Sequence, residues 1–484
     1  MGQRFSRFSF ALPLIGCLLV AFASTVVAKP RKKSRKQKEA AERVKREAAM
    51  QWAMLTRLVA ARTNVIDGGS GVSSGIDMSA TTTSQSSTNA QFIGDPEART
   101  SGITPAAGSL IISEFRLRGP SGANDEFVEI YNDSGADHTV ASISGTGYGV
   151  AASDGVLRCT IPNGTIIPAR GHFLCTNSIA YSLGGYAAGD ATYALDIPDN
   201  AGIALFNNNS GGGFFSLPNR FDAVGSTSEA NTLYKEGTGY PALTGFSIDY
   251  SFYRDMCGKG GSNTTMGPCT VSTPKDTDNN AADFIFVDPN GTSDSAGQRL
   301  GAPGPENLAS PIQRNATIAN ALLDATVPSS NAPNQVRDFT STPAQNSTFG
   351  TLDLRRRFVN NTGAPVTRLR FRIVDMTAFP APTGFADLRA RTSSLVVVAG
   401  VNDAATCLAS NGVATTPCTV NVQGTTVETP PSQPNGGAFN STLSAGSITL
   451  GTPLANGASI NLQFLLGIQQ TGNFKLYLNI EALP

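Results

Sequence analysis

Residues 110–131 constrain the fold more than any other stretch. Two strand-like runs, Leu-Ile-Ile-Ser-Glu-Phe-Arg and Glu-Phe-Val-Glu-Ile-Tyr, flank a turn built from Gly, Pro, Asn and Asp, the pattern of a β-hairpin. The second run is not cleanly amphipathic. Phe127, Glu129 and Tyr131 share one face, and Glu126, Val128 and Ile130 share the other. Asn132-Asp133-Ser134-Gly135 then breaks the strand, because Asn, Asp and Gly favour tight turns. Such a pair of strands opens a β-sandwich.

The chain has 484 residues, enough for more than one domain. Charged residues make up only 15 % while Gly, Ser, Thr and Asn abound, which suits loop-rich extracellular β domains. The zero net charge hides an asymmetry. Residues 29–62 carry twelve Lys/Arg against three Glu, and with Arg4 and Arg7 also set aside the remainder carries about −11. A mildly acidic body argues against nucleic-acid binding.

Arg4 and Arg7 precede an apolar run, 8–27, and Val26-Val27-Ala28 offers small residues for cleavage after Ala28, so residues 1–28 read as a signal peptide. Two alternatives stand beside it: lipidation at Cys17 within Leu14-Ile15-Gly16-Cys17, and an uncleaved anchor, since the basic cluster after Ala28 opposes translocation. With cleavage, no stable transmembrane domain is expected. Beyond Cys17 the cysteines fall as neighbours, Cys159 with Cys175, Cys257 with Cys269, and Cys407 with Cys418. An even count at short spacing fits three local disulfides in an oxidising compartment, with buried free thiols as the alternative.

Residues 29–66 hold a basic segment and then a helix over 39–62, with Val44, Ala48, Trp52, Leu55 and Val59 on one stripe. The expectation is a solvated spacer whose apolar stripe touches the first domain or coils weakly with another copy, with association to a membrane surface or polymer as the alternative. Residues 67–107 read as a Gly/Ser/Thr linker. The first sandwich spans 108–311. Within it, 165–175 forms two strands across Pro168-Ala169-Arg170-Gly171, with Cys159 and Cys175 bracketing that hairpin; further strands are expected at 200–207, 220–225 and 251–254. A connector, 312–335, contains a short helix at 316–323. The second sandwich, 336–484, opens with alternating runs at 350–360 and 366–374, Leu369, Phe371 and Ile373 opposing Arg368, Arg370 and Arg372. A buried strand at 394–399, a hairpin at Asn411-Gly412 and a closing hairpin of 459–466 with 473–480 complete it. The expected fold class is all-β, two β-sandwich domains after a signal and a short basic helix.

Several of these segments resemble the bacterial lamin-tail domain, an immunoglobulin-like sandwich. The opening "I-x-E" and "D-E-F-V-E-I-Y-N-x-S-G" strands are matched by Ile112, Glu114, Asp125–Asn132, Ser134 and Gly135. The turn after "I-P-A" is matched by residues 167–171, "G-I-A-L" by 202–205 and "F-D-A-V-G" by 221–225. The closing arginine and "D-T-D-N-N-x-x-D-F" are matched by Arg254 and residues 276–284. The resemblance covers about 200 residues and implies an adhesive or assembly module with no shared catalytic set. Long glycine-rich loops near Tyr186 and Gly211 and the added cysteines depart from it. The second half loosely resembles sandwich modules that follow such domains.

No catalytic set emerges. The chain has two histidines, His138 and His172, each isolated in sequence, too few for a zinc hydrolase. It carries no phosphate loop of the Gly-x-x-x-x-Gly-Lys type; Gly211-Gly212-Gly213 reads as a loop. Asp276, Asp278, Asn280 and Asp283 have calcium-like spacing but lack the glycine and distal glutamate of an EF-hand, so an Asx-rich turn is the expectation. Glu114, Glu126 and Glu129 could be paired glycosidase carboxylates but read as solvated glutamates on exposed strand faces. Arg355, Arg357, Arg368, Arg370 and Arg372 form a basic ladder if their strands pair. Such a ladder suits an acidic cell-surface polymer or the acidic first domain, or else is a plain solvated face.

No catalytic, cofactor-binding or metal residue is therefore assigned, and no cofactor is implied. The expected function is that of an exported, non-enzymatic surface, scaffold or adhesion protein whose partner is a cell-surface polymer or another surface protein. The alternatives are a calcium- or carbohydrate-binding module, or an accessory domain of an extracellular hydrolase system.

Overall fold

The opening hairpin forms as its residues dictate. Leu110–Arg116 runs antiparallel to Phe127–Asn132, with Phe115 opposite Val128 and Ile112 opposite Ile130, and a bulge between Ile112 and Glu114. The computed structural model describes residues 110–243, 247–256, 274–292 and 299–484, all within one compact unit, Ser73–Pro484. The expected signal, basic helix and linker, and the pair Cys257 with Cys269, lie outside the described residues.

The hairpin sits at the centre of a six-stranded sheet ordered Phe284–Val287, Ser251–Arg254, Leu110–Arg116, Phe127–Asn132, His172–Asn177, Ala191–Tyr193. A four-stranded sheet, Arg220–Val224, Ile203–Phe206, Gly147–Ala152, Leu157–Pro162, lies against it. Ile112, Val128, Ile130 and Phe252 from the first sheet pack with Val150, Ile161, Leu205 and Val224 from the second. That shared core makes a β-sandwich.

The second sandwich follows the same logic. One sheet is ordered Ile312–Gln313, Leu476–Leu483, Arg368–Met376, Thr442–Ser444, Thr426–Val427. The other is ordered Ile318–Leu322, Thr351–Asn360, Ser459–Gln470, Asp387–Arg391, with Gln335–Asp338 pairing the remaining length of Thr351–Asn360. Phe371, Ile373, Leu478 and Ile480 meet Leu354, Phe358, Leu462 and Phe464 between the sheets. The fold is all-β, and no helix among the described residues is long and apolar enough to cross a membrane.

Pairing partners differ from those expected in five places. Residues 165–175 do not form a hairpin: Ile166–Ile167 pairs with His138–Thr139, and His172–Asn177 pairs with Phe127–Asn132. Cys159 and Cys175 consequently lie on different sheets, and their disulfide ties the two layers through the core. The expected helix at 316–323 is a strand, Ile318–Leu322, recruited by the open edge of Thr351–Asn360; the connector thus supplies strands to the second sandwich. Ser459–Gln470 and Leu476–Leu483 enter opposite sheets instead of closing a hairpin. Asn411-Gly412 is not a hairpin turn. Asp403 caps a helix, Ala404–Asn411, by accepting from the Thr406 N–H at 2.7 Å, and Gly412 ends it at φ 74°, a left-handed cap that glycine adopts freely. The Cys407–Cys418 disulfide pins that helix to Cys418–Val422, which pairs with the half-exposed strand Val396–Val401 where a buried strand was expected.

Candidate functional site

The irregular patterning of the opening strands has a physical origin: both of their faces are covered. All six residues of Phe127–Asn132 are buried. Val128 and Ile130 face the first core, and Glu129 faces the second sandwich. Glu114, Glu126 and Glu129 are respectively 3 %, 0 % and 3 % exposed, so the expectation of solvated glutamates is corrected. Each instead accepts specific hydrogen bonds, as a buried carboxyl must.

Glu126 accepts from Asn177 Nδ2 at 2.9 Å and the Ile197 N–H at 2.7 Å. Burial nevertheless pushes its carboxyl up to about 8. Glu114 accepts from the Gly304 N–H at 2.9 Å and Asn440 Nδ2 at 3.1 Å. Glu129 accepts from Ser113 Oγ and the Glu306 N–H. Burial raises both carboxyls, and the charge of Glu114 raises Glu129 further.

Glu114 and Glu129 belong to a buried ionic junction that joins the two sandwiches, whereas Glu126 is held within the first sandwich. Glu306, on the segment between them, receives Arg370 Nη2 on one oxygen and lies 3.1 Å from Arg372 Nη2 through the other. Glu481 accepts from Arg370 Nε at 2.5 Å and Arg372 Nε at 2.7 Å. Arg372 also donates to Asn440 Oδ1 at 2.7 Å and the Gly304 carbonyl at 3.1 Å. From the first sandwich, Tyr186 places its ring 5.7 Å beneath the Arg370 guanidinium and its hydroxyl 2.9 Å from Thr442 Oγ1. Alternation along Arg368–Met376 explains the geometry. Phe371 and Ile373 enter the second core, which turns Arg370 and Arg372 outward onto the first sandwich.

The expected arginine ladder does not assemble. Thr351–Asn360 and Arg368–Met376 lie in different sheets. Arg355 pairs with Asp353 at 2.7 Å, Arg357 donates to Thr406 Oγ1 at 3.1 Å and Arg368 pairs with Glu428 at 3.0 Å. Only Arg370 and Arg372 meet a carboxylate from the span of the first domain.

His172 completes the junction, its Nε2 lying 3.2 Å from Glu306 and 3.8 Å from Glu129. Burial, then the charges of Arg372 and Arg370, hold it well below the ordinary histidine range and keep it neutral. Glu129, His172 and Glu306 present ligand atoms within 4.8 Å of one another, yet the set does not fit a metal. Glu306 already answers two guanidinium cations, and both Glu129 oxygens accept hydrogen bonds. The cavity here, bordered by Glu114, Glu129, His172 and Arg372, measures about 50 Å³. That volume holds a few waters; a small-molecule site needs several hundred Å³. His138 stands apart, 3.2 Å from Tyr148 Oη.

A second buried centre organises the first sandwich internally. Arg254 donates to the Ile112 carbonyl at 2.7 Å and to Asp222 at 2.6 Å, with Asp276 at 3.2 Å. Asp222, Glu236 and Asp276 also cluster at metal-like distance, but the Arg254 guanidinium occupies the cationic position. Burial, with the charge of Asp222, raises Glu236 to about 9. The acidic loop has local duties. Asp283 accepts from the Thr277 N–H, Thr277 Oγ1 and the Asn279 N–H. Asn280 accepts from the N–H groups of Gly225 and Glu236 and donates to Ala223. Asp278 turns at φ 54°, a region Asp tolerates better than most residues. Asx-turn chemistry accounts for this segment.

Glu306, Asn440, Glu481 and Tyr186 were not legible as site residues. Glu481 alone had a signal, a charge on the face opposite Leu478 and Ile480 in a terminal alternating run. No protein-family model matches the chain, and neither a curated protein nor a solved structure matches it.

Proposed function

We propose that the chain is an exported, non-enzymatic surface, scaffold or adhesion-type protein whose first sandwich is a lamin-tail-like module. The observation that carries this reading is the fate of its acid–base groups. Glu114, Glu129 and His172 surround a cavity of about 50 Å³, and the two carboxyls are taken up in hydrogen bonds to the connecting segment and the second sandwich, as a load-transmitting body requires and a substrate site does not. Residues behind the lamin-tail resemblance support the same view. Asp125 binds the fully buried Arg116, Asn132 Nδ2 donates to the Ala136, Ile167 and Pro168 carbonyls, and Asp222 binds Arg254. They are fold-defining contacts.

Disulfides that cross the first core and pin the helix of the second sandwich suit an oxidising compartment. The test is cell fractionation followed by intact-mass and N-terminal analysis without reductant. A mature chain outside the cytoplasm, with its cysteines oxidised, is expected; its mass distinguishes cleavage after Ala28, lipidation at Cys17 and a retained anchor. A reduced cytoplasmic chain would overturn the proposal.

A further inference from the structure

The second sandwich carries a groove of about 400 Å³, well within the size range of small-ligand sites and sharing no lining residue with the cavity at the ionic junction. Its wall is the outward face of Cys418–Val422 and its continuation. Thr419, Asn421 and Gln423 point into it, while Val420 and Val422 alternate into a small core with Val398 and Cys407. The end of the helix Ala404–Asn411, the start of Ser459–Gln470 and residues 447–454 form the remaining sides.

Its chemistry is distinctive. None of the lining residues is charged or aromatic; amides and hydroxyls alternate with the aliphatic surfaces of Ile448, Leu454 and Ile460. Among the described residues, the side chains of Asn421 and Gln423 make no hydrogen bond within the chain, so their donors and acceptors remain available. At the floor, Asn461 Nδ2 donates to Ser410 Oγ at 3.0 Å and the Asn421 carbonyl at 3.1 Å, leaving Oδ1 buried without a partner. The Cys407–Cys418 disulfide fixes the helix against the strand, which lowers the ordering cost of binding.

We infer that this groove binds a neutral, polyhydroxylated carbohydrate. Hydroxyl groups that donate and accept match paired amides, and sugar C–H faces match the aliphatic patches. A charged ligand would find no counter-charge. An added peptide strand would need a free backbone edge, yet Cys418–Val422 pairs with Val396–Val401 on one side, and the Gln423 N–H bonds the Asn461 carbonyl on the other. The inference is independent of export and of the lamin-tail reading.

The test is calorimetric titration of the full chain with neutral hexasaccharides of β-1,4-glucan, α-1,4-glucan, β-1,3-glucan and β-1,4-linked N-acetylglucosamine. Uncharged hexapeptides form the comparison arm. One saccharide is expected to bind with Kd on the order of 10⁻⁴–10⁻³ M, as suits a small rigid polar site. Asn421→Ala combined with Gln423→Ala, both away from the cores, is expected to weaken binding at least about tenfold with an unchanged melting temperature. Absence of saccharide binding up to about 10 mM, binding unaffected by the double substitution, or binding of peptide alone would each overturn the inference.

Discussion

Arg372 Nη2 stands 3.1 Å from Glu306 Oε2, both residues almost wholly buried, so a cation on the second sandwich is neutralised by the segment that leaves the first. Breaking such a contact from one side leaves a charge buried without its partner, which costs far more than a surface ion pair contributes. Arg370→Ala, which strips Glu306 and Glu481 of a shared donor, is expected to reduce unfolding free energy by about 3–5 kcal/mol. Arg368→Ala, at the exposed end of the row, should cost less than about 1 kcal/mol. Urea titration of both variants checks the difference.

Arg356 predicts the opposite sign. It shares the inward face of Thr351–Asn360 with Leu354 and Phe358 and is 1 % exposed. Its Nη1 donates to the Asn334 and Arg355 carbonyls, while Nε and Nη2 have no partner. Burial lowers it to about 10. Arg356→Met is therefore expected to stabilise the chain by about 1–3 kcal/mol, seen as a melting temperature several degrees higher. A lower melting temperature would contradict this.

Glu126 sets a pH dependence. Its folded-state value of about 8 lies above the ordinary 4.5, so the folded chain holds this proton more tightly than the unfolded chain. The resulting stabilisation is complete below about pH 4.5 and is lost as pH rises towards 8. His172 runs the other way: held neutral, it contributes stability above pH 6.5 that is lost in acid. Glu126→Gln should flatten the decline between pH 4.5 and 8, measured by urea unfolding across that range, by an amount on the order of a few kcal/mol. An unchanged slope would assign the decline to other groups.

The disulfide between Cys159 and Cys175 closes a 16-residue separation and should contribute about 3 kcal/mol through the unfolded chain. Cys159→Ala with Cys175→Ala is expected to lower the denaturant midpoint accordingly. A hairpin staple would lose only local order. Because the bond joins two sheets, amide exchange should rise in both, from Phe127–Asn132 to Gly147–Ala152.

Strand positions were legible because side-chain alternation is local. Leu369, Phe371 and Ile373 against Arg368, Arg370 and Arg372 already set apart two faces. Pairing was not legible, because which edge a strand meets depends on the whole sandwich; 459–466 and 473–480 read as neighbours, yet the strands there, Ser459–Gln470 and Leu476–Leu483, enter different sheets. Asn411-Gly412 serves a hairpin and a helix end equally well, since both require a left-handed residue. The glutamates misled for a clearer reason. Alternation tells one face from the other, but it does not reveal that a second domain covers Glu114 and Glu129, or that Asn177 and Ile197 of the first sandwich enclose Glu126.

The most direct test of the ionic junction as the coupling between sandwiches is native-state hydrogen exchange of the full chain under rising denaturant, followed at Phe127–Asn132 and Leu476–Leu483. In the wild-type chain both segments should open together at one denaturant concentration. Glu306→Ala should separate them into two transitions. Independent opening in the wild type, or coincident opening retained in Glu306→Ala, would contradict the account.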